Sequence, residues 1–76
     1  MREYAVVYEW GDSNWSAYVP DLPGCVTTGK SRQEAEVNVR EAIGLHLEAI
    51  VRSGQPIPEP TCTAGTVRVP LPVVAC

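Results

Sequence analysis

His46 is the only imidazole in this 76-residue chain, and the serines that could serve it as nucleophiles are Ser13, Ser16, Ser31 and Ser53. None of the four lies in a nucleophile elbow or a comparable motif. His46 falls instead within an apolar periodic stretch, where a neutral imidazole hydrogen-bonded to its surroundings serves as a core or interface side chain. The cysteines, Cys25, Cys62 and Cys76, form no C-x-x-C pair, whereas zinc sites draw on closely spaced ligands. Metal-dependent phosphodiester cleavage needs several carboxylates converging on one or two ions. The sheet-forming region supplies only Glu3, Glu9, Asp12 and Asp21, and the two aspartates sit among turn residues, where Asp bonds locally. The glycines are scattered and match no phosphate-cradling fingerprint. No catalytic residue, metal or cofactor is therefore expected, and the chain reads as a binding protein and not an enzyme.

Six Lys+Arg against nine Asp+Glu give a formal net charge of −3. A surface of that sign repels a phosphate backbone and suits a basic partner. Direct nucleic-acid binding is disfavoured. A domain of this length buries only about 60% of its unfolded surface, so a small core gains from association with another subunit. Neither a signal peptide nor a stretch of membrane-spanning length appears, and unpaired cysteines fit reduced thiols, so a cytoplasmic location is expected.

Tyr4, Val6, Tyr8 and Trp10 alternate with Ala5, Val7 and Glu9, which predicts a strand over about 3–10. Gly11, Asp12, Ser13 and Asn14 make a tight connection, and Trp15, Ala17 and Val19 share one face of a second strand, about 15–19. Pro20 and Pro23 lack amide donors and Gly24 can take a positive φ, so 20–24 is an elbow before a third strand, about 25–29. Ser31 with Glu34 three residues on forms a capping box. Beyond it Ala35, Val39, Ala42, Ile43, His46, Leu47 and Ile50 fall on one helical stripe, and Gly54 followed by Pro56, Pro58 and Pro60 stops the helix, placing it at about 32–53. Residues 66–69 alternate once more before Pro70 and Pro72, which predicts a final edge strand. The fold class is α+β in a single domain, 1–76: a three-stranded antiparallel sheet, one long helix and a final strand.

The aromatics of the hairpin ask for cover on both faces of the sheet, and one helix covers one of them. The other face, with the elbow, is the expected contact surface. The partner-binding candidates are Trp15, Tyr18, Pro20, Asp21, Leu22, Pro23 and Gly24, with Arg68 on the last strand.

Trp15-Ser-Ala-Tyr-Val-Pro-Asp-Leu-Pro-Gly-Cys25, preceded by Tyr4-Ala-Val-Val-Tyr-Glu and followed by Thr-Gly-Lys-Ser-Arg-Gln-Glu-Ala and Glu41-Ala-Ile-Gly-Leu-His-Leu-Glu48, resembles the HicB antitoxin family over nearly the whole chain. The resemblance implies a partial ribonuclease-H-like β-β-β-α-β fold without the nuclease's acids. It implies an antitoxin that binds a small basic HicA-type mRNA endonuclease and blocks its active site, and a homo-dimer or tetramer. Many members carry a C-terminal DNA-binding module. This chain ends soon after Val69, so no DNA-binding domain and no operator binding are expected of it. A homo-oligomeric regulatory protein without a toxin is the alternative, and a metal-dependent ribonuclease-H-like nuclease using Glu9, Asp12 and Asp21 is a further one.

Overall fold

The computed structural model describes residues 2–73. Three strands, β1 (Val7–Trp10), β2 (Trp15–Tyr18) and β3 (Val26–Gly29), are followed by one helix, α1 (Arg32–Arg52). The sheet is antiparallel in the order β1-β2-β3. Val7 pairs with Tyr18 and Trp10 with Trp15 across the hairpin, and Tyr18 pairs with Val26 and Trp15 with Gly29 across the second ladder. Cross-strand partners share a face. One face therefore carries Tyr8, Trp10, Trp15, Ala17, Thr27 and Gly29, and the other carries Val7, Glu9, Ser16, Tyr18, Val26 and Thr28.

The helix lies on the first of these faces. Ala17, Val19, Leu22, Cys25, Ala35 and Val39 form the buried core, and Tyr4, Val6, Tyr8, Trp15, Ala42, Ile43 and Leu47 pack around it. The predicted stripe is the one the fold uses: Ala35 and Val39 are buried, and Ala42, Ile43, His46, Leu47 and Ile50 are half-buried. Val37, Leu45 and Val51, off that stripe, stay exposed. Packing of α1 falls on β3 first and β2 second.

Both helix ends are closed by local chemistry. The Ser31 hydroxyl accepts from the Glu34 amide at 3.0 Å, while the Glu34 carboxylate accepts from the Lys30 amide at 3.0 Å, one residue earlier than the usual reciprocal bond. At the other end Gly54, at φ +79°, gives its amide to the Val51 carbonyl, and the Gln55 amide reaches the Ile50 carbonyl. This is the pair of bonds that satisfies the last free carbonyls of a helix ending in the left-handed region.

β2, β3 and α1 each differ from the expected range by about one residue, and the first ladder starts at Val7 and not near Glu3. The predicted final strand does not form: residues 66–69 make no ladder bond and are exposed among the described residues. A strand needs a partner edge, and residues 66–69 make no backbone bond to one among the described residues. Val74, Ala75 and Cys76 lie outside the described residues.

Gly29 sets how closely the sheet and helix approach. A Cβ there would come within 2.5 Å of the Ala35 nitrogen and 2.9 Å of its Cα. Backbone cannot yield as a side-chain tip does. Gly29→Ala is thus expected to lower the unfolding free energy by about 3 kcal/mol. Gly44, with open space around it in mid-helix, serves as the control, and its replacement by Ala should raise stability by about 0.5–1 kcal/mol. Urea denaturation followed by circular dichroism checks both.

Candidate partner-binding surface

The elbow begins where β2 ends. The Val19 amide donates to the Cys25 carbonyl at 3.1 Å, and inside this closure Leu22 donates to Val19 and Cys25 to Leu22. Leu22 points inward and is 0% exposed, while Pro20, Pro23 and Gly24 face solvent, Gly24 at φ +84°. One apolar side chain anchors the turn and leaves its prolines on show.

Asp21 faces the segment that returns from the helix. Its Oδ1 accepts from the Thr61 hydroxyl at 2.7 Å, and its Oδ2 accepts from the Thr61 and Cys62 amides at 3.0 and 3.1 Å. Those donors, the Thr61 hydroxyl first and the Cys62 amide next, hold the carboxyl below its ordinary value of 3.8. Further back the same segment is clasped by the N-terminus. The Tyr4 hydroxyl donates to the Pro58 carbonyl at 2.6 Å, and Arg2 donates to the Ile57 and Pro58 carbonyls and pairs with Glu59 at 2.9 Å. Residues 55–62 thus form a strap across the end of the domain.

The open face of the sheet lies next to the elbow. Val7, Tyr18 and Val26 run across its three strands in one row, with Tyr18 39% and Val26 60% exposed. Glu9, Ser16 and Thr28 form the neighbouring polar row. An apolar band beside hydroxyls and a carboxylate can bury area and fix orientation, which is the chemistry of protein contact.

Of the candidates read from the sequence, Tyr18, Pro20, Pro23 and Gly24 come together on this surface. Trp15 does not, because it shares the helix side with Ala17 and packs its ring on Trp10, centroids 5.7 Å apart. Leu22 is core, Asp21 is engaged by the strap, and Arg68 lies on the exposed chain beyond it. Val7 and Val26, which are not among those candidates, stand in line with Tyr18 in the register of the sheet. Glu9 and Asp12 lie toward the hairpin end and Asp21 at the elbow end, so these carboxylates do not converge. No cluster of three His, Cys, Asp or Glu occurs among the described residues. His46 is half-buried on the helix stripe; Cys25 is buried, which pushes its thiol up from 9.0, and Cys62 is exposed.

The family model for the HicB_like antitoxin of bacterial toxin-antitoxin systems matches residues 4–70. The chain belongs to this family. A UPF0150 protein of Thermoplasma acidophilum is 33% identical over 67 residues, 88% of this chain and 97% of the relative. One from Helicobacter pylori is 49% identical over 41 residues, 54% and 57% of the two chains. Among solved structures, a chain of a HicA3 and HicB3 toxin-antitoxin complex superposes with a TM-score of 0.67 at 28% identity, covering 79% of this chain and 70% of that one. The three-stranded sheet with its single helix is thus the fold of a HicB-like domain. Among the described residues no helix is long and apolar enough to cross a membrane.

The strap contact of this HicB-like chain is expected to respond to acid. Asp21 has a folded value below 3.8, so its contribution is fully present above that ordinary value and is lost as pH falls through the lowered folded one. Hydrogen exchange at the Thr61 and Cys62 amides is expected to be slow at neutral pH and to accelerate on acidification beyond the intrinsic trend. Asp21→Asn should show the fast rate at neutral pH, with the amides of α1 unchanged.

Proposed function

We propose that this chain is an antitoxin that binds a small basic mRNA endonuclease of the HicA type and neutralises it by covering its active site. The reading rests most on the open sheet face, where Tyr18 and Val26 stand exposed in line with the half-buried Val7 and beside Glu9. An apolar row on a domain of formal net charge −3 suits a basic surface, because charge brings the partners together and apolar burial retains them. Similarity to a chain from a toxin-antitoxin complex supports the same partner class. In this role the protein performs no chemistry of its own. Inhibition follows from occupying the space that RNA would need.

The product of a small basic reading frame next to the gene is the partner to test. Its RNA cleavage should fall to background at one equivalent of this protein, with association slowing as salt is added. Tyr18→Ala combined with Val26→Asp is expected to weaken the complex about 100-fold, read by calorimetry. Leu45→Asp, on the outer helix surface, should leave it unchanged. The reading is lost if no such product binds, or if the outer helix variant matters and the sheet variant does not.

A further inference from the structure

The three strands read Val-Tyr-Glu-Trp, Trp-Ser-Ala-Tyr and Val-Thr-Thr-Gly, and Glu9 is their one charged side chain. Glutamate is disfavoured within a strand, so its place there calls for another cause. It is not an internal ion pair. The ion pairs among the described residues join Arg2 to Glu59, Arg32 to Glu36 and Arg52 to Glu48. Three arginines do stand near β1, but on its helix side. Arg32 lies 4.2 Å over the Tyr8 ring, and Arg2 and Arg40 line an open groove against β1, with Tyr4, Val6, Val39 and Ile43. The amides of Tyr8 and Trp10 face the outer edge there, where no strand lies beyond β1. Glu9 points the other way, exposed on the open face.

On that face Glu9 heads a row with Ser16 and Thr28, one residue from each strand. The Val19 amide bonds to the Cys25 carbonyl, which assigns residues 15, 17 and 19 to the bonded pairs with β3 and residues 16 and 18 to those with β1. Glu9 and Ser16 are therefore a wide pair, about 5.5 Å between Cα atoms, and Ser16 and Thr28 a narrow one, about 4.5 Å. The far end of the row is pinned, because Asn38 Nδ2 donates to the Thr28 carbonyl at 2.9 Å. A carboxylate and two hydroxyls thus stand in line across roughly 10 Å of hydrogen-bonded backbone. Tyr18, exposed, follows Ser16 on the same strand and face, about 7 Å along.

We propose that Glu9, Ser16 and Thr28 form the specificity element of the open face and receive one arginine side chain of the basic protein partner, a site that presupposes the antitoxin reading above. A guanidinium carries five donors in a flat fork. Two of them pair side by side with the Glu9 carboxylate, which leaves others for the Ser16 and Thr28 hydroxyls. The stem of the arginine then lies on Tyr18, whose ring takes both the methylenes and the edge of the cation. Lysine does not satisfy this row. Its three donors radiate from one point, and it cannot engage the carboxylate in two parallel bonds while also reaching along the strands. The neighbouring Val7, Tyr18 and Val26 row retains a partner by burial, and this row decides which partner by charge and shape.

The probe is the product of the small basic reading frame beside the gene, titrated into the full chain by calorimetry. Glu9→Gln keeps the shape of an exposed side chain and is expected to raise Kd about 10- to 100-fold with an unchanged circular dichroism spectrum. Ser16→Ala with Thr28→Val should raise it about 5- to 10-fold. Replacing the partner's arginines by lysine one at a time should expose a single position as costly as Glu9→Gln, and the two changes should be non-additive when combined. A complex indifferent to Glu9→Gln overturns this site and leaves the antitoxin reading standing, even if that variant aggregates, since Glu9 is then only a charge guarding an edge strand. A Glu9→Gln effect additive with every arginine replacement overturns the arginine contact. Absence of any complex with the unaltered chain overturns the site together with the reading.

Discussion

The contact of α1 with β3, backbone against backbone at Gly29 and Ala35, fixes the rest of the molecule. It draws the helix to one side of a narrow sheet. A helix has a body about 10 Å across, and three strands about 4.8 Å apart are wider than its apolar stripe. Once the stripe is seated on β3 and β2, with Ala35 and Val39 as the small residues that permit the approach, the helix side of β1 is covered only in part, Tyr8 lying at the margin of the core with the Arg32 guanidinium 4.2 Å over its ring. At the end of that flank Arg2 and Tyr4 hold the strap. The groove and the free edge of β1 both follow from where one glycine lets the helix come down.

Elements whose cause is local were legible in the residues. The capping serine, the stripe from Ala35 to Ile50, the glycine past the last turn and the elbow each depend on neighbours within a few positions, and each appears where the spacing places it. The departures all involve distance along the chain. Asp21 read as a turn residue, yet it binds forty residues away at Thr61. Leu22 read as part of an exposed elbow, but nothing in a Pro-Asp-Leu-Pro-Gly run says which side chain turns inward. Trp15 reads as part of the contact surface, although its alternation with Ala17 puts it on the helix side. Residues 66–69 carry a real strand pattern, and periodicity says that a segment can pair without saying with what. A strand pattern is a property of a segment, whereas a strand is a property of two.

Two unfinished surfaces result, and they differ in chemistry. The face with Val7, Tyr18 and Val26 offers side chains, while the outer edge of β1 offers main-chain donors and acceptors above an apolar groove. Side-chain faces discriminate among partners by shape and charge. Edges accept any strand of suitable pattern and depend on prolines, charges or cover for restraint. The two lie on opposite sides of β1 and share no side chain, because neighbouring residues of a strand point to opposite faces. Occupation of one therefore leaves the other in place.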